Sequence, residues 1–103
     1  MQAIHITKAG GPEVLQFKNV EVKKPAKREV QIQVKAAGVN RSDILTRQNP
    51  DAYGKDLPGA TIPGLEVAGE VIEVGAEAND LHVGDKVCAL IPGGGYAEEV
   101  IVD

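Results

Sequence analysis

The cleanest alternation of hydrophobic and polar positions lies at residues 30–36, where Val30, Ile32, Val34 and Ala36 interleave with Gln31, Gln33 and Lys35. That period of two predicts a strand with one buried and one wet face. Residues 3–8 alternate in the same way, Ile4 and Ile6 against His5 and Thr7, before Gly10-Gly11-Pro12 breaks the pattern. Less regular apolar runs predict further strands at 14–22, 65–74, 87–91 and 96–102. Between them lie Lys23-Lys24-Pro25, a turn at 76–80 and the breaker Pro92-Gly93-Gly94-Gly95. The period changes once, at 41–48, to a short helix with Ile44 and Leu45 as its apolar residues. Asn40 is placed as its N-cap, and Asp43 falls in the first turn, where a carboxylate complements the helix dipole. Residues 49–62, with Pro50, Gly54, Pro58, Gly59 and the aromatic Tyr53, form a long connection of a length commonly tied to function. Short strands punctuated by Gly and Pro, with one brief helix, predict a mainly β fold, a small barrel or sandwich.

The stretch 62–75, IPGLEVAGEVIEVG, is the candidate centre of the site. Pro63-Gly64 is a breaker pair and Gly69 and Gly75 bracket a β-branched run, so the backbone is expected to pass close to something before it sets off as a strand.

Length and composition narrow this picture without naming a chemistry. At 103 residues the chain is one domain's worth. Hydrophobic residues make up 43% and aromatics only 3%, so aliphatic side chains must fill the core. With 11 basic and 15 acidic residues the net charge is -4, which argues against nucleic acid or an anionic membrane as partner. Lys18, Lys23, Lys24, Lys27 and Arg28 cluster, but Glu13, Glu21 and Glu29 interrupt them, which describes a solvated turn. Cys88 is the single cysteine, which rules out a disulfide within this chain and a thiolate cluster for zinc, and fits a reducing compartment. The N-terminus shows no signal-peptide pattern and no run approaches the roughly 20 apolar residues of a membrane span, so a cytoplasmic location is expected.

Four segments, AAGVNRSD at 36–43, IPGLEVAGEVIEVG at 62–75, HVGDKV at 82–87 and PGGGYAEEV at 92–100, occur in an order and spacing that resembles the N-terminal GroES-like domain of medium-chain dehydrogenases/reductases. Within them the chain is most similar to the zinc-free quinone oxidoreductases. The resemblance covers residues 1–103 and implies a GroES-like, partly open β-barrel. GEVIEVG followed by VGDKV alone would be shared with the co-chaperonin after which the fold is named.

The same resemblance carries expectations for individual residues. Zinc-dependent relatives place a Cys where Asn40 stands and a His where Leu65 follows Pro63-Gly64; an amide and an alkyl group are no zinc ligands, so no metal is expected. His5 and His82 lie outside the motifs, and His82 reads as a turn residue. A quinone needs no Lewis acid, because it takes hydride into a conjugated, resonance-stabilised anion. By resemblance, Asn40 is a catalytic and cofactor-binding candidate near the nicotinamide and its ribose, although the N-cap role accounts for it equally. Tyr53 is the loop tyrosine expected to face the substrate, either bonding its carbonyl or returning a proton; the alternative is a ring packed on the barrel. Ile62 and Leu65 are candidates for an apolar wall, or core residues. Glu66 reads as a buried structural carboxylate paired with Arg41, and Asp43 as a helix-start residue.

The resemblance also implies what this chain lacks. Such reductases continue into a Rossmann domain, whereas Gly93-Gly94-Gly95 is followed by Glu98 where the third glycine of G-x-G-x-x-G belongs. The expectation is a substrate domain of an NADPH-dependent quinone reductase, homo-oligomeric in full length, with NADPH bound only there and the isolated chain folded, cofactor-free and inactive. Two alternatives stand beside it. One is a reductase of enones or enoyl thioesters with Tyr53 as proton donor; the other is a stand-alone GroES-like assembly or binding module that uses residues 49–62 to hold a partner.

Overall fold

A computed structural model describes residues 1–50 and 62–103. Two separate antiparallel sheets carry the architecture. Strands β1 (Gln2–Ile6) and β2 (Leu15–Asn19) form a hairpin through a 3-10 turn at Pro12–Val14. Strands β3 (Val30–Ala37), β4 (Glu66–Val74), β5 (Lys86–Leu90) and β6 (Glu99–Val102) form the larger sheet in the order β5-β4-β3-β6, and helix α1 (Arg41–Gln48) follows β3. Among the described residues one isolated bridge, Ala3 to Ala97, and no continuous ladder joins the hairpin to the chain of the larger sheet, so the barrel is left partly open, as a GroES-like fold implies.

The core is aliphatic, as the scarcity of aromatics requires. Val30, Ile32, Val67, Val71, Ile91 and Val100 form its buried centre, contributed by β3, β4, β6 and the residue after β5. Ile32 and Val71 are cross-strand partners, 2% and 0% exposed, which identifies the β3–β4 pair as the middle of the domain.

Several sequence expectations change at this level. In β1 the buried positions are Ala3 and Ile6, not Ile4 and Ile6, because Ala3 sits where the hairpin meets Ala97. β2 begins at Leu15, since Pro12 nucleates a 3-10 turn that takes up Val14, whose N–H bonds Gly11 O at 3.1 Å. The β3–β4 ladder carries two bulges, one in each strand. The register passes over Ile72 between the Gln31–Glu73 and Ile32–Val71 pairs, and over Lys35 between the Val34–Gly69 and Ala36–Ala68 pairs. Ala36 consequently turns outward, while Gln31 is buried and donates through Nε2 to Glu99 Oε2 at 3.0 Å. β6 starts at Glu99 rather than Tyr96 because residues 94–98 spend their N–H groups elsewhere: Gly94 on Ile62, Gly95 on Gly64, Tyr96 on Pro63 and Glu98 on Gln2.

Helix α1 has the expected bounds. It buries Asp43, and leaves Ile44 and Leu45 half-buried. No helix among the described residues is long and apolar enough to cross a membrane.

Candidate functional site

The site is assembled where the start of α1, the segment 62–66 and residues 94–96 come together. Asn40 takes the N-cap position with extended φ and ψ of -125° and 157°. Its backbone N–H donates to Asp43 Oδ2 at 3.0 Å, so the acid of the first turn reaches back to cap the helix entry. The Asn40 side chain takes its part in the same capping box, and its Nδ2 donates to Glu66 Oε1 at 3.3 Å. Glu66 is therefore an exposed residue bonded to Asn40 rather than a buried carboxylate paired with Arg41; it is the first residue of β4, past the point where the sheet covers its side chains.

The Pro63-Gly64 turn is pressed against the loop before β6. Gly95 N–H bonds Gly64 O at 2.9 Å and Tyr96 N–H bonds Pro63 O at 3.0 Å. Gly64 has φ of +105°, and a Cβ there would stand 2.6 Å from Tyr96 Cδ1 and 2.7 Å from the Tyr96 nitrogen. Only glycine allows both the left-handed backbone and the approach. The close passage anticipated for this stretch is thus made against Gly95 and Tyr96.

Asp43 ties these pieces together. It is 8% exposed and accepts three bonds: from Asn40 N–H, from Gly64 N–H at 3.2 Å on Oδ1, and from the Tyr96 hydroxyl at 2.6 Å on Oδ2. The Tyr96 oxygen also lies 3.3 Å from Gly38 O, but a hydroxyl has one proton, and the shorter, charge-assisted bond to Asp43 takes it. Burial, then the hydrogen bond to Asp43 and the charge of that carboxylate, push the Tyr96 hydroxyl far above the ordinary tyrosine pKa. Sequence reading placed Asp43 at the helix start but missed its bonds to Gly64 and Tyr96, which lie 21 and 53 residues away along the chain.

The other expected site residues are distributed unevenly. Leu65 is half-buried directly before Glu66, its carbonyl accepting from Ile91 N–H at 2.7 Å, so Asn40 and Leu65 belong to segments that meet. Ile62 lies apart from Leu65, in a groove of about 330 Å³ shared with Val20, Val22, Val100 and Ile101. Tyr53 lies outside the described residues. His82 is an exposed turn residue whose N–H bonds Asp85 Oδ2 at 2.9 Å.

Two groups that related enzymes use can be set against these side chains. Leu65 offers no donor atom and Asn40 only an amide, so these two positions do not supply a zinc ligand pair. The Asn40 carboxamide carries both a donor and an acceptor, the chemistry that a ribose hydroxyl would need. Its 3.3 Å bond to an exposed carboxylate is long enough for a hydroxyl to replace.

Compared with known proteins, residues 26–103 match the model of the alcohol dehydrogenase GroES-like domain. The quinone oxidoreductase of Lama guanicoe is 39% identical over 100 residues, 95% of this chain and 30% of that protein. The chain thus spans 30% of the length of this curated relative. Among solved structures, Escherichia coli quinone oxidoreductase complexed with NADPH superposes with a TM-score of 0.82 at 33% identity, over 99% of this chain and 31% of the other. The CurK enoyl reductase superposes with a TM-score of 0.84 at 25% identity, over 98% and 32%.

Proposed function

Because the chain belongs to the alcohol dehydrogenase GroES-like domain family, we propose that residues 1–103 are the substrate domain of an NADPH-dependent, metal-free quinone reductase whose Rossmann domain lies outside this sequence. The observation that carries this reading is the meeting of Asn40 with the segment of Leu65. The two positions at which zinc-dependent relatives hold metal ligands form one edge here, and it bears an amide and an alkyl group. Similarity to quinone oxidoreductases, one of them complexed with NADPH, supports the choice of acceptor and cofactor.

The cofactor supplies the hydride when bound. Asn40 orients it, with the carboxamide bonding the nicotinamide ribose in place of Glu66. Leu65, beside Asn40, provides apolar surface that excludes water from a flat, conjugated acceptor. Tyr53 is assigned to the acceptor's side, where its hydroxyl would bond the carbonyl oxygen or return a proton. A quinone depends little on such a donor, since its reduced form spreads charge over a conjugated ring. The protein is cytoplasmic and homo-oligomeric in full length, and residues 1–103 alone bind no cofactor and turn over nothing.

The similarity to an enoyl reductase favours a second reading, reduction of an enone or enoyl thioester with Tyr53 donating the proton to carbon. Turnover by the longer protein separates the two. Tyr53→Phe is expected to leave quinone reduction within a few-fold of wild type; a loss of about 100-fold with enones, the scale of general-acid catalysis, establishes the second reading. NADPH oxidation by residues 1–103 alone at an enzyme-like rate would falsify the domain assignment. A native protein of only 103 residues would return the chain to the binding-module alternative.

A further inference from the structure

Among the described residues, one buried acid that meets neither expected cofactor nor substrate joins three segments of the site. The two oxygens of Asp43 are divided between them: Oδ2 accepts from the Asn40 N–H and the Tyr96 hydroxyl, Oδ1 from the Gly64 N–H. We infer that Asp43, oriented by the Tyr96 hydroxyl, is the positioning residue that sets the spacing between Asn40 and Leu65, a role that rests on the proposed function of those two residues.

The geometry argues this in two steps. A carboxylate is rigid and planar, so donors held by its two oxygens are held at a fixed separation. One of those donors is the backbone of Asn40, and the other is the residue before Leu65. The segment 62–64 is in turn bonded along residues 94–96 by three backbone bonds, so the contact with Asp43 sets both segments against the start of α1. Two other ties reach Glu66, from Gly38 N–H to its carbonyl at 2.9 Å and from Asn40 Nδ2 to its Oε1 at 3.3 Å, but Val39, 83% exposed, lies between the first and Asn40, and the second is long and ends on an exposed side chain. Asn40 therefore follows the helix entry, and the helix entry follows Asp43.

Tyr96 determines which way the carboxylate faces. Its hydroxyl makes the shortest of the three bonds, while its ring lies where a Cβ on Gly64 would fall. Removing the oxygen alone leaves the ring in place and frees Asp43 to turn about its last torsion, which is broad for a carboxylate. Asn40 and Gly64, bonded to different oxygens, must then be displaced together.

The test is nuclear magnetic resonance of the 103-residue chain. In Tyr96→Phe, the backbone amides of Asn40 and Gly64, the Asn40 carboxamide and the Leu65 methyls are expected to shift together, while the methyls of Ile32 and Val71 stay in place. Asp43→Asn, which replaces one acceptor with a donor, is expected to shift the same four signals further. Should Asp43→Asn fail to fold, Tyr96→Phe decides alone. A folded Tyr96→Phe chain that is less stable but keeps the Asn40 and Leu65 signals unmoved would reduce Asp43 to a structural role and overturn the inference. The function it rests on is tested separately: Asn40→Ala in the longer protein with an unchanged KM for NADPH removes Asn40 from the cofactor, whatever the resonances show.

Discussion

At the scale of single residues, the order of the site converges on Asp43 and Tyr96. Asp43→Ala would leave the N–H groups of Asn40 and Gly64 and the Tyr96 hydroxyl without their acceptor. With charge-assisted bonds lost and donors only partly reached by water, the expected cost is roughly 3 kcal/mol, read from the midpoint of urea unfolding. Tyr96 gives the same contact a pH signature. Its ionisation is held above the ordinary range in the folded chain, so its contribution is fully present below the unfolded tyrosine pKa of about 10 and is lost as pH rises beyond it. Alkaline unfolding of the wild type should therefore begin above about pH 10, and Tyr96→Phe should be less stable at neutrality yet flatter in this range. Very little of this pair could be read from the sequence. A carboxylate in the first turn of a helix has a local explanation that satisfies it, and nothing in the pattern at 92–100 announces that Tyr96 folds back to the same acid. Asn40 and Leu65 were legible as a pair only because their motifs occur in register in a known family.

At the scale of elements, the strands were legible where one face is buried and the ladder is regular. Residues 30–36 and 65–74 were read to within a residue of β3 and β4, and α1 was read with its bounds. The pattern failed where the pairing partner, not the periodicity, decides the outcome. The bulge at Lys35 reverses the expected facing of Ala36, and the neighbouring β6 draws Gln31 into a bond with Glu99. The run at 96–102 reads as one strand, yet its first residues are claimed by Pro63 and Gln2 from other parts of the chain. What the ladder does concentrate is core packing, since Ile32 is paired with Val71 at the centre of the sheet. Ile32→Ala is expected to cost roughly 3 kcal/mol in chemical denaturation, whereas alanine at Phe17 on the hairpin, 79% exposed, should cost little.

At the scale of the whole molecule, the sequence disclosed the fold class and the family but not how loosely the parts are joined. Among the described residues the hairpin β1–β2 meets the rest through the Ala3–Ala97 bridge, the bonds from Ile4 N–H to Tyr96 O and Glu98 N–H to Gln2 O at 2.8 and 3.2 Å, and a pair between Gly10 and Arg47, Gly10 N–H to Arg47 O at 3.2 Å and the Arg47 guanidinium to Gly10 O at 3.1 Å. The four-stranded sheet, by contrast, encloses the aliphatic core on its own. Such a division gives one chain two melting units of unequal cost. In native-state hydrogen exchange the amides of β3 and β4 should open only with global unfolding, while those of β1 and β2 should open earlier and as a set; a single uniform protection would show the bridge to be stiffer than its few bonds suggest. The hinge of that early opening is Tyr96, whose carbonyl holds the hairpin while its hydroxyl holds Asp43. Release of the hairpin would thus be felt at the Asn40 edge, and its slow breathing becomes a source of disorder in the site.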